Sequence, residues 1–405
     1  MTLLRKGLLA PTIASLFASA AIAKTWHVPS DVSTIQAAID SCISPDTVLV
    51  GPGTYFENID LLGKTIWVHS LTGPEATILN GSKPNEAVVL FITGESPGCK
   101  FEGFTITHGQ GHESHGGGIY IYNSSPLIRN NIIKDNQAQS GGGIYVTGES
   151  AHPLLDGNTF VENVAASGAG LLMQSAYVVL TNNHFIGNIA GERGGGAYLS
   201  LSQPSPSVVS NNEFHANEAK TGGGLFVTGL GTPITISFNL FVENRASGDP
   251  IYGAGGGAAF NYLYLSMDNN TFVHNQGATS SSPSGGALAL RTLYSGQFAR
   301  NIISQNSGGG VACIACIYTP CTFSYSYNLA WANSGGDFVG CDTSSDSTLI
   351  RADPLFCDPA TGNYTLSLSS PAIGLGAFPE PGCGAVPTQR VTWGALKTRA
   401  WKTND

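Results

Sequence analysis

The sequence predicts an all-β fold wound as a parallel coil, and three observations carry that prediction. A short glycine block returns nine times at intervals of 23 to 33 residues, from Gly116-Gly117-Gly118 through Gly141 to Gly143 and Gly194 to Gly196, ending at Gly335-Gly336. Between the blocks runs a second signal, Phe-x-x-Asn, at Phe160 to Asn163, Phe185 to Asn188, Phe214 to Asn217, Phe241 to Asn244 and Phe272 to Asn275. Ile133 to Asn136 and Ile303 to Asn306 carry Ile in its place. Within the repeats, no run of about 10 to 12 residues has a helical period. A repeat of this length is one supersecondary unit that cannot bury its own apolar face, so the units must stack.

Residues 141–167 show the unit. Ile144 and Val146 mark one strand, Pro153 to Asp156 a second and Asn158 to Val161 a third, before Glu162-Asn163 turns the chain. Three short strands without a helix imply a parallel coil rather than a leucine-rich or ankyrin array. About 12 such coils, at ~4.8 Å each, make a stack roughly 55–60 Å long.

The remaining elements follow in chain order. Arg5 and Lys6 precede an apolar stretch and Ala21-Ile22-Ala23, which reads as a secretory signal peptide over 1–23, cleaved after Ala23. No later segment is apolar enough for long enough to span a bilayer, so the mature chain is expected to be secreted or held at a cell surface without a transmembrane segment. A cap helix is expected over 30–43, because Val32, Ile35, Ile39 and Cys42 recur at helical spacing behind Ser30 and Asp31 as N-caps. It would cover the unpaired end of the first coil. The coil itself is expected over 24–385, and 386–405 is a tail. Eight cysteines, six of them between Cys313 and Cys383, predict disulfides clamping the terminal regions, with Cys-rich coils and a cap over 313–385.

Without Arg5 and Lys6 the chain carries 16 basic and 27 acidic residues, a net charge of −11. Phosphate binding needs a basic surface, so nucleic acid is excluded as a partner.

Ser33-Thr34-Ile35-Gln36-Ala37-Ala38-Ile39 with Val50-Gly51-Pro52-Gly53-Thr54-Tyr55 resembles the N-terminal cap of secreted right-handed parallel β-helix proteins of the pectin-lyase-like superfamily. The Gly-Gly-Gly-Ile-Tyr and Phe-x-x-Asn pairs are similar to repeats of bacterial polymorphic outer-membrane proteins, which are adhesins. Ala352-Asp353-Pro354-Leu355-Phe356 with Ser369-Ser370-Pro371-Ala372-Ile373 resembles the closing segment of such secreted proteins. The resemblance implies a single-domain right-handed parallel β-helix and an extended polysaccharide or cell-surface glycan as partner. The Asn-Thr-Asp set of polygalacturonases, the Asp-Phe-Ile-Phe-Gly segment of pectin methylesterases and the Trp-Ile-Asp-His segment of the main pectate lyases do not occur.

Beside the repeated Asn, three sets of residues are candidates for chemistry. The repeated Asn form an internal ladder at a tight turn, since Asn tolerates a left-handed backbone and stacked amides bond from coil to coil. The loop after each Asn places Glu192 and Arg193, Glu218 and Lys220, and Arg245 and Asp249 along one edge. In a uronate lyase acting by β-elimination, Glu192, Glu218 and Asp249 would hold Ca2+, and Arg193, Lys220 or Arg245 would take the α-proton. Salt bridges in solvent are the structural alternative. His108, His112, Glu113 and His115 form a second cluster, which Glu149 and His152 on the next coil would join. Tyr120, Tyr122, Tyr145, Tyr198, Phe226 and Phe260 recur after the glycine blocks, with Tyr262 and Tyr264 nearby. Facing outward, Tyr120 and Tyr122 with His112 and His115 would bind substrate; facing inward, the aromatics would be core. Two functions follow: polysaccharide engagement with or without cleavage, or non-catalytic adhesion.

Overall fold

A computed structural model describes residues 23–202, 207–248, 253–278, 284–314, 322–344 and 346–383. The segment expected as a signal peptide, apart from Ala23, and the expected tail over 386–405 lie outside the described residues. Nearly every strand pairing is parallel and joins one coil to the next in register, as in Ile144 to Leu171 and Phe160 to Phe185. The solenoid makes about ten turns rather than twelve.

Each central coil has four straight segments rather than three. In one coil they are Ile144–Thr147, Leu154–Asp156, Thr159–Val161 and Val164–Ser167. We call the faces they build first to fourth. Among the described residues the third face stacks 11 strands, and the fourth 5, from Gln137–Ser140 to Arg245–Ala246. The stretch after each Asn is therefore strand in these coils, not loop.

The interior explains the Phe-x-x-Asn repeat. Phe160, Phe185, Phe214, Phe241 and Phe272 stack coil upon coil, with ring centroids 4.4 to 4.8 Å apart. The Asn beside them form the expected ladder: Asn188 Nδ2 donates to Asn217 Oδ1 at 2.9 Å and to the Phe160 carbonyl at 3.0 Å. The left-handed residue, however, is the one before each Asn. Glu162, Ala216 and His274 have φ of 52°, 53° and 57°, and the Asn amide braces the bend they make. A second ladder, Asn131-Asn158-Asn183-Asn212-Asn239-Asn270-Asn301-Asn328, braces the bend between the second and third faces.

In the last two blocks Gly308, Gly309, Gly335 and Gly336 all have a positive φ, whereas in the blocks from Gly116 to Gly224 only the first glycine does, as at Gly141 and Gly168 with φ of 63° and 60°. The others are glycine because coils meet there. A Cβ on Gly195 would lie 2.5 Å from the Glu218 and Gly223 carbonyl oxygens.

The cap helix is shorter than expected, Ile35–Ser41, and buries Ile35, Ala38 and Ile39. Its N-cap is Thr34, whose side chain accepts from the Ala37 N–H, while the Glu57 carboxylate takes the Ile35 and Gln36 N–H groups. Asp31 instead accepts from His27. Disulfides Cys313–Cys341 and Cys357–Cys383 secure the C-terminal region. Cys42 and Cys99 do not clamp the other end; both are buried free thiols, pushed up to about 11 and about 12 first by burial.

The closing segment is not an end cap. It doubles back along the outside of the third face, where Tyr364 and Ala377 pack on Leu240, Val242 and Val273, and Leu366, Ala372 and Leu375 pack on Ile302 and Leu329. Hydrogen bonds from Asn269 Nδ2 to the Gly374 carbonyl and from the Ala377 N–H to Thr271 Oγ1 fix it there. Those outward positions of the third face are apolar because a second layer covers them.

Candidate functional site

The first face places the aromatics. Ile119, Ile121, Ile144 and Val146 point into the core, so strand alternation sends Tyr120, Tyr122 and Tyr145 outward. Register aligns Tyr120, Tyr145, Leu172, Tyr198 and Phe226 in one outward row. Phe260 is not part of it; it aligns with Val227 and is core.

The row lies in the corner between the fourth and first faces. There the opening glycine of each block presses on the outward side chain: Cβ atoms on Gly141, Gly194 and Gly222 would lie 2.8, 2.8 and 2.9 Å from the Cβ of Tyr145, Tyr198 and Phe226. Any side chain at these glycines would displace the aromatic row.

Polar groups lean over these rings. The His112 ring centroid is 5.1 Å from Tyr120, that of His115 is 4.7 Å from Tyr145, and the Arg193 guanidinium is 5.7 Å from the Phe226 ring centre. Tyr120 and Tyr145 stack at 5.7 Å with 15° between planes. The Tyr145 hydroxyl donates to Gln174 Oε1 at 2.9 Å, and His112 Nδ1 meets Glu86 Oε2 at 2.9 Å. Tyr122 is 46% exposed, whereas Tyr145 is 5% exposed. Burial first, then neighbouring Tyr145 and Glu113, raise the Tyr120 phenol, and burial raises that of Tyr145. Both therefore stay neutral hydrogen-bond donors.

The loop carrying His112 and His115 is held. Gln110 and Gly111 donate to the Glu86 carbonyl, and Gly109 donates to Asn136 Oδ1. Among the described residues, no three His, Cys, Asp or Glu side chains converge on a metal position. His152 lies against Tyr177 instead, with ring centroids 3.7 Å apart.

The charged edge is divided. Lys220 Nζ pairs with Glu192 Oε1 at 2.7 Å, both about half exposed, and Glu218 sits opposite Arg245 in register. Arg193, only one residue from Glu192, turns to the Phe226 ring instead. Asp249 lies outside the described residues. Lys220 and Arg245 are therefore on adjacent coils of the edge, and Arg193 belongs to the aromatic corner.

One cluster escaped the sequence reading. On the third face Glu213 meets His184 Nδ1 at 3.3 Å, and His215 Nε2 meets Glu243 Oε2 at 3.2 Å. Burial opposes charge on Glu213, but hydrogen bonds from His184 and His215 outweigh it and hold its pKa at about 2. The signal was present as His184 and Glu213 at the same position of successive Phe-x-x-Asn repeats, one residue before the Phe.

A family model described as right handed beta helix region matches residues 88–260. No curated protein matches. Among solved structures, pectate lyase Pel9A is similar at 13% identity over 89% of this chain and 96% of its own, with a TM-score of 0.47. A mannuronic acid specific polysaccharide family 6 lyase from human gut microbiota is similar at 14% identity over 80% and 84%, with a TM-score of 0.38. Pectin methylesterase from carrot is similar at 12% identity over 88% and 92%, with a TM-score of 0.29. With its parallel coils and Asn ladders the chain is a parallel β-helix, and its central region, residues 88–260, matches the model of a right handed beta helix region.

Proposed function

We propose that the chain engages an extended acidic polysaccharide along the corner between its fourth and first faces. The single observation that carries this reading is the set of His112, His115 and Arg193 placed over Tyr120, Tyr145 and Phe226. Tyr145 and Phe226 are buried and brace the imidazole and guanidinium, which supply donors for carboxylates, while the half-buried Tyr120 offers ring surface to a sugar. The row runs across five coils, from Tyr120 to Phe226 with Leu172 in the middle, which fits a polymer better than a compact ligand. The two disulfides suit an oxidising, extracellular setting. No helix among the described residues is long and apolar enough to cross a membrane.

Cleavage by β-elimination is the more demanding form of this proposal. Arg193, Lys220 or Arg245 would take the proton, with Ca2+ held by Glu192, Glu218 and Asp249. The Lys220–Glu192 pair favours binding without cleavage, as in an adhesion protein, because the lysine is already engaged by a carboxylate.

The test mixes the chain with a panel of polyuronates plus calcium and follows both binding and the ultraviolet absorbance of unsaturated sugar ends. Binding that Tyr120→Ala weakens at least tenfold supports the track. A calcium-dependent rise in absorbance supports the lyase form. Absence of binding to every polyuronate overturns the proposal.

A further inference from the structure

The outer side of the second face carries an open hollow of about 400 Å³. Register places Pro233, Tyr264 and Ser295 of three successive coils in one row, and Thr235, Ser266 and Gln297 in the next. Their neighbours Ile234, Leu265, Ile236 and Met267 are buried, so both rows face outward. Tyr264 is 46% exposed and stacks on Tyr294, 38% exposed, with centroids 5.3 Å apart and 27° between planes. The pair is braced from the side. At Gly231, with φ of 72°, a Cβ would lie 3.5 Å from the Tyr264 ring and 3.6 Å from that of Tyr294. Among the described residues no hydrogen bond engages the hydroxyls of Thr235 and Ser266 or the Gln297 amide.

We propose that this hollow is a binding subsite for a neutral saccharide, separate from the track on the first face. Tyr264 would stack on a pyranose face, while Thr235, Ser266 and Gln297 hydrogen-bond its hydroxyls. The occupant is neutral because none of the residues lining the hollow is charged at neutral pH. A uronate there would lose hydration without gaining a counter-charge. It is a sugar because the wall pairs one flat ring with a row of hydroxyl and amide groups that act as both donors and acceptors. Coils rise by ~4.8 Å, comparable to one sugar ring, so successive row members meet successive rings. The strands here are paired on both sides, which leaves no edge for an added peptide strand.

Calorimetry on the full chain tests this with cellohexaose, mannohexaose and hexagalacturonate, and with a polyproline peptide, the other ligand that tyrosine-lined hollows accept. At least one neutral hexasaccharide is expected to bind, with Tyr264→Ala weakening it tenfold or more and Gln297→Ala severalfold. Both side chains are exposed, and unchanged thermal unfolding of the variants confirms the fold. The proposal is overturned by no binding of either neutral sugar, by neutral-sugar binding that survives Tyr264→Ala, or by Tyr264-dependent capture of the peptide alone. The hexagalacturonate arm reads the first-face track separately, so failure of one site leaves the other standing.

Discussion

Asn188 and Glu192 are four residues apart in one coil, yet they belong to regions that obey different physics. Asn188 sits in a buried corner where every amide atom is used: it accepts from the Asn163 N–H and Nδ2 and donates to Asn217 and Phe160. Glu192 sits on an open edge, in one exposed pair with Lys220. The corner repeats identically because an unpaired polar group there has no water to turn to. The edge varies from coil to coil because water can replace any partner it loses. Repetition in this chain therefore marks structure, and variation marks the surface on which function can be built.

Breaking the corner should have the largest effect. Asn188→Ala removes the Oδ1 that accepts from both the Asn163 N–H and Asn163 Nδ2, and one donor to the Phe160 carbonyl, in mid-ladder. Two groups orphaned in the interior predict a loss of about 4 kcal/mol. Denaturant unfolding measures it; a loss below about 1 kcal/mol would mean that the ladder is dispensable. Next comes the layer on the third face. Cys357 and Cys383 are separated by 26 residues, and closing a loop of that length stabilises by roughly 3 kcal/mol. Replacing both with Ser should lower the unfolding midpoint and expose Val242 and Val273 to water, which a fluorescent dye for apolar surface would report.

The Glu213 cluster lies between these extremes in exposure and responds to pH. Its folded pKa of about 2 is below the ordinary 4.5, so the carboxylate stabilises the fold fully above about 4.5. That contribution is lost as pH falls through the folded value. A Glu213→Gln variant lacks the dependence, so its melting temperature should trail the wild type at neutral pH and converge on it as pH falls from about 4.5 towards 2. A gap that stays constant across that range would show that Glu213 carries no such coupling to His184 and His215.

How much of this was legible follows the same division. The glycine blocks and the Phe-x-x-Asn repeat revealed the coil, because periodic contacts leave periodic residues. The second Asn ladder was visible in Asn182-Asn183, Asn211-Asn212 and Asn269-Asn270 but hidden elsewhere, since the residue before the ladder varies as Gly157, Phe238 and Arg300. The fourth face was read as loop because its strands are short and rich in alanine. The closing segment over the third face left no periodic trace at all; its contacts join residues about a hundred positions apart. Which way Tyr120 and Tyr145 face was undecidable until the register was known, because both alternating sets, Ile and Tyr, are apolar enough for a core. The charge pattern named Arg193 but placed it on the edge, whereas one residue of irregular pairing between Ala165 and Ser167 opposite turns it to the Phe226 ring.

The smallest structural effect should come from the edge, and there it is most informative. Lys220→Ala removes one exposed pair, for which less than about 1 kcal/mol of stability is expected. Its unfolding curve should overlay the wild type. Any change in function must then be chemical rather than structural. If the chain cleaves a polyuronate, loss of turnover in Lys220→Ala with unchanged binding assigns the lysine a role at the bond that breaks. If binding weakens in proportion to the lost charge and falls away with added salt, the lysine acts only as part of the field that attracts an acidic chain. If neither changes, the edge is solvated surface and the aromatic corner alone carries recognition, which a Tyr120→Ala variant with the same intact fold would then show.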